Sequence, residues 1–125
     1  GPSGIFLIET KNWSEKSLEN ISLRSPVQQI RRTSFVLFKL LNNEISNYLL
    51  RLDKHHWGDK KISIKNLIVM TNTKPQEEFQ FVKILTLNEL LGYINYFKPT
   101  FSINETQRIT DFILEINKIK LLKTK

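Results

Sequence analysis

The sequence contains no cysteine. That excludes a disulfide framework and any thiolate metal site, and it fits a reducing, cytoplasmic setting. Glycine and proline are scarce, at four each. No internal repeat, low-complexity segment or linker is expected. No apolar run approaches the roughly 18 residues that a membrane-spanning helix needs. The first residues show no basic stretch ahead of an apolar core, so a signal peptide is not expected either.

What is present is ordinary for a folded domain: 40% hydrophobic and 25% charged residues in a chain of 125. That is enough apolar surface to offset the entropy of ordering, and a single domain over residues 1–125 is expected. The formal net charge is +7 and the pI about 9.7, which favours a polyanionic partner such as nucleic acid. The plainer reading is a lysine-rich, solvated surface. The basic residues are spread along the chain, so charge alone does not decide.

Local patterns predict the elements. Gly1-Pro2-Ser3-Gly4 reads as a turn, with Pro2 presetting φ and Gly4 free to take a positive φ. Ile5-Phe6-Leu7-Ile8 reads as a buried strand that ends in Glu9-Thr10-Lys11. Residues 12–24 are polar, with room for a short strand near 21–23. Ser25 as N-cap, Pro26 at the first helical position and Gln28 closing a capping box predict a helix. It should run to about Leu52, with Val27, Ile30, Phe35, Phe38, Leu41, Ile45, Tyr48 and Leu49 on one apolar face. Residues 53–61 form a polar loop. Its His55 and His56 are adjacent, a poor arrangement for holding one ion, and its Trp57 could stack on a base or cap the core. Strands are predicted over residues 62–71 and 79–85, and capping boxes at Thr86/Glu89 and Ser102/Glu105 open two closing helices. The order β, α, β, β, α, α predicts a mixed α/β domain with helices packed on a small central sheet.

The residues with chemical potential sit at the end of the first strand. Alternation puts Glu9 and Lys11 on one face and Thr10 on the other. Mg²⁺ takes oxygen ligands and leaves room for water and phosphate. Glu9 could supply one oxygen and the backbone carbonyl of Thr10 another, while Lys11 could orient water and stabilise charge on a phosphate. A bare E-x-K tripeptide is more commonly a same-face ion pair at a strand end. Gln29, in the first turn of the helix, lies where free N–H groups favour phosphate. Arg31 and Arg32 follow it, and Arg32 is one turn along. Trp13, two residues beyond Lys11, is placed to stack on a base or to pack beneath its loop.

Residues 1–13, GPSGIFLIETKNW, resemble the signature strand of the nuclease-related (NERD) domain family. There a glycine turn leads into an apolar strand ending in E-x-K-N and an aromatic. The family's second signature, a helix opening with proline and a glutamine three residues on, is similar to Pro26 and Gln29. The resemblance extends, less specifically, over nearly the whole chain. It implies a restriction-endonuclease-like α/β fold, a mixed central sheet flanked by helices, of the D…E-x-K nuclease group. It further implies Glu9 as a metal ligand with Mg²⁺, or Mn²⁺ in its place, Lys11 as the catalytic lysine, and Gln29 as an active-site side chain. The implied activity is hydrolysis of phosphodiester bonds in DNA rather than RNA. The alternative is an inactive nucleic-acid-binding or protein-interaction module on the same scaffold. Family members carry an aspartate on a strand before the glycine turn, and nothing acidic precedes Glu9 here. An N-terminal strand and helix are therefore expected upstream in a longer chain or from a second chain, unless the site has been lost.

Overall fold

The computed structural model describes residues 1–12, 24–51, 60–72, 74 and 78–123. The elements are β1 (Ile5–Lys11), α1 (Arg24–Leu41), α2 (Glu44–Leu50), β2 (Ile64–Met70), β3 (Val82–Thr86), α3 (Leu87–Tyr96) and α4 (Ile103–Lys123). The three described strands form one sheet in the order β1-β2-β3 and all run parallel. This is the expected mixed α/β architecture. The expected short strand near residues 21–23 lies outside the described residues.

Burial on both faces of a parallel sheet demands apolar strands, and β2 satisfies this with Leu67, Ile68, Val69 and Met70, all essentially inaccessible. Alternation sends Ile68 and Met70 to one face, where they meet Val27 and Ile30 of α1 and Val82 and Ile84 of β3. Leu67 and Val69 face the other way and meet Leu85 with Leu90 and Tyr93 of α3. A third cluster lies where the strands begin. It joins Leu41, Leu50 and Ile62 to Phe101 and Ile109, and so ties α1, α2 and α4 together.

The turn before β1 forms as expected, with Gly4 N–H donating to the Gly1 carbonyl (3.0 Å) and Gly4 at φ 133°. The two capping boxes also form. Glu89 accepts from Thr86 N–H at 3.0 Å, and Ser102 and Glu105 bond reciprocally at 2.9 and 3.1 Å.

Three expectations are corrected. The first helix already includes Arg24 and Ser25, so Ser25 is not its cap and Pro26 sits inside the first turn, where a missing N–H costs nothing. The helix also does not run through to Leu52. It stops at Leu41, and α2 restarts after Asn43, whose side-chain oxygen caps Ser46 N–H at 2.8 Å. The break resets the helical phase. Tyr48 and Leu49 therefore point to solvent while Ser46 and Leu50 are buried, and Phe35 is exposed as well. Finally, β3 begins at Val82 rather than near residue 79, because Phe81 takes a left-handed conformation (φ 67°) that interrupts an extended chain.

Candidate active site at the carboxyl end of β1

The three strands end level, with Lys11 opposite Met70 and Met70 opposite Thr86. In parallel sheets the carboxyl ends of the strands are where ligands bind. Glu9 and Lys11 project from this end of β1 on the α1 side, and Lys11 Nζ lies 3.1 Å from Glu9 Oε1. Both are partly exposed, so the pair adds little stability and both groups remain accessible.

Gln29 comes to the same place from α1. Glu9, Leu7 and Ile8 line a small cleft of about 60 Å³ together with Pro26, Gln29, Ile30 and Thr33. Residues 26, 29, 30 and 33 share one helix face, so helical spacing alone could have added Pro26 and Thr33 to the site. The first turn of α1 carries no acidic residue of its own, and the positive end of a helix dipole favours an anion there.

Thr10 faces away from Glu9, as alternation requires. Its backbone is the informative part. Thr71 N–H donates to the Lys11 carbonyl at 3.0 Å, so the backbone groups of Lys11, Glu9 and Leu7 point to β2. Those of Thr10 and Ile8 then point to the other edge of β1. Among the described residues no strand pairs with that edge. The Thr10 carbonyl is thus directed outward, as a backbone metal ligand must be.

Other expected site residues are dispersed. Arg31 turns away from the cleft and lies over the Phe81 ring, 5.8 Å from its centroid. Arg32 is exposed and lines neither the cleft nor the pocket beside Phe81. Trp13, His55, His56 and Trp57 lie outside the described residues.

As a metal site, the described residues offer one carboxylate and one outward carbonyl. Among them no group of three or more acidic, histidine or cysteine side chains could hold an ion. This donor set suits Mg²⁺ only when phosphate oxygens and water complete the coordination. Weak binding of Mg²⁺ by the protein alone is expected.

The same sheet end carries a second ion pair among the described residues. Glu89 binds Lys74 Nζ at 2.7 Å. Its hydrogen bond from Lys74, together with those from the Thr86 backbone and hydroxyl, lowers its pKa to about 2. A depressed carboxylate contributes stability that is present above its unfolded value, about 4.5, and is lost as pH falls toward 2. The Glu89 carboxyl resonance followed by NMR should titrate near pH 2 and move up toward the ordinary range in Lys74→Ala. A midpoint near 4.5 in the unmodified protein would contradict the capping geometry.

A parallel sheet flanked by helices, with Glu9, Lys11 and Gln29 gathered at the carboxyl end of β1, is consistent with a nuclease-like α/β fold. The nuclease-related domain family, NERD, matches residues 1–71, and the chain belongs to that family. The match ends one residue past β2, so it takes in the cleft and not β3, α3 or α4, a narrower span than the sequence resemblance suggested. No curated protein and no solved structure matches the chain. No described helix is long and apolar enough to cross a membrane.

Proposed function

We propose that this domain hydrolyses phosphodiester bonds in DNA with Mg²⁺ or Mn²⁺, using Glu9, Lys11 and Gln29. The observation that carries the reading is the convergence of Glu9 and Gln29 on one cleft, with Lys11 held against Glu9. Glu9 and the Thr10 carbonyl would hold the metal, which when bound polarises a phosphoryl oxygen. Lys11 has three N–H donors. One stays on Glu9, and the others orient the attacking water and stabilise charge gathering on the phosphate. Gln29 positions the phosphate or the water from the helix side, near the positive end of α1. The partner on this reading is DNA rather than RNA, and a segment upstream or from a second chain supplies a further carboxylate along the edge of β1 that no described strand pairs with.

The small donor set favours a second reading, a nucleic-acid-binding module without catalysis. A plasmid-nicking assay on a protein that carries the segment supplying the further carboxylate separates the two, and residues 1–125 alone are expected not to cut. Conversion to nicked circles in Mg²⁺ or Mn²⁺, stopped by EDTA, is expected. Binding without nicking in either metal would sink the catalytic reading.

A further inference from the structure

Helix α1 has two working flanks. Residues 26, 29 and 33 face the cleft, while Arg31, Ser34 and Phe38 lie on the opposite flank by helical spacing. That second flank closes a pocket of about 630 Å³ against the start of β3, a size typical of small-molecule sites. Val82 pairs with Asn66, two residues before the partner of Glu9. Strand spacings then put Val82 and Glu9 roughly 12 Å apart, with α1 between them. The pocket is therefore separate from the cleft.

Three features of the pocket point to one kind of ligand. Asn66 donates from Nδ2 to the Phe81 carbonyl at 3.2 Å, which fixes the orientation of its amide. Its Oδ1 is then a buried acceptor without a partner. Such an atom costs free energy unless a donor arrives. Phe81 is the second feature. It is 69% exposed and sits at φ 67°, a conformation costly for a bulky side chain and free for glycine. Packing does not explain a ring there. Charge is the third. Arg31 lies over that ring, and no carboxylate is among the described lining residues of the pocket, whereas the Lys65 ammonium is turned onto the Phe6 and Phe97 rings.

We propose that this pocket binds an unpaired nucleobase of a nucleic-acid strand together with its adjoining phosphate. The base stacks on Phe81 beside Arg31, one of its N–H groups donates to Asn66 Oδ1, and the phosphate faces Arg31. Aromatic stacking with cationic support is the general chemistry of single-strand binding. The proposal rests on the nucleic-acid reading of the domain and is independent of catalysis.

The test is fluorescence anisotropy in EDTA with a labelled oligodeoxyadenylate of roughly ten nucleotides. A duplex of the same length and free dAMP serve as competitors. Phe81→Gly removes the ring and relieves the backbone, so the variant should melt no lower than the parent. It should bind the single strand about tenfold more weakly, the loss of one stacked base. Phe81→Trp should retain binding, and Arg31→Ala should weaken it and lower its salt dependence by about one ion. Single-strand affinity of Phe81→Gly within twofold of the parent overturns the proposal. So does an equal loss toward duplex, because a paired base cannot stack there. Competition by dAMP only at far higher concentration assigns the pocket to a strand, and competition at equal nucleotide concentration assigns the same chemistry to a free nucleotide. Absence of cleavage by the unmodified protein with intact, Phe81-dependent binding strikes the catalytic reading alone, and absence of Phe81 dependence with intact cleavage strikes the pocket alone.

Discussion

Replacement of Lys11 by alanine should lower metal-dependent cleavage of plasmid DNA by about 10²- to 10³-fold, the effect of deleting one donor aimed at developing charge. The melting temperature should stay within a degree or two. Lys11 is partly exposed, and the group it pairs with, Glu9, is more so. An ion pair of that kind contributes about 0–1 kcal/mol, further reduced by salt. The side chain also fills no core cluster. A nicking assay beside thermal melts reads both quantities on one preparation. Undiminished cleavage by Lys11→Ala removes the lysine from the mechanism, while a collapse of stability would make it a structural residue.

The second large effect is on folding and falls at Asn42. Its side chain bridges the end of α1 to Ile62, two residues before β2. Nδ2 donates to the Phe38 carbonyl at 2.8 Å and to the Ile62 carbonyl at 3.0 Å, and Oδ1 accepts from Ile62 N–H at 2.6 Å. Ile62 is 1% exposed, so its backbone groups have little recourse to water. Asn42→Ala strips partners from both, at about 1–3 kcal/mol each. A total of about 2–4 kcal/mol is expected, which lowers Tm by roughly 10 °C. The neighbouring Asn43→Ala removes a helix cap, a hydrogen bond from the Ser46 hydroxyl and two long ones to the Lys39 and Leu40 carbonyls, and should cost about 1 kcal/mol. Denaturant titrations of the two variants give the comparison, and equal losses would show that the bridge to Ile62 contributes nothing.

These two residues also mark where sequence reading succeeds and where it stops. Glu9 and Lys11 were legible as a same-face pair because strand alternation is a rule of period two that needs no tertiary information. The capping boxes at Thr86/Glu89 and Ser102/Glu105 were legible for the same reason, since their partners lie three residues apart. Gln29 could be placed near Glu9 because the motif order set a strand end and a helix start on one side of the sheet. The break at Asn42 was not legible. Its cause is a set of bonds to Ile62, and an uninterrupted apolar periodicity across residues 27–49 concealed it. The exposed Phe81 reads as strand because its identity suits one, while its backbone does not. The buried acceptor on Asn66 leaves no trace in sequence at all, since burial of one atom is a property of packing. The separation of Arg31 from Arg32 follows from a helical angle of about 100° per residue, which sends adjacent side chains to different flanks.

The decisive measurement is a calorimetric titration of Mn²⁺ into the full chain and into Glu9→Gln, each mixed with an oligodeoxynucleotide carrying uncleavable phosphorothioate linkages. A metal held between Glu9, the Thr10 carbonyl and phosphate predicts binding that needs the oligonucleotide and is largely lost in Glu9→Gln, with cleavage of ordinary DNA lost in parallel. Metal binding and cleavage that survive unchanged in Glu9→Gln would place the reaction elsewhere in the protein.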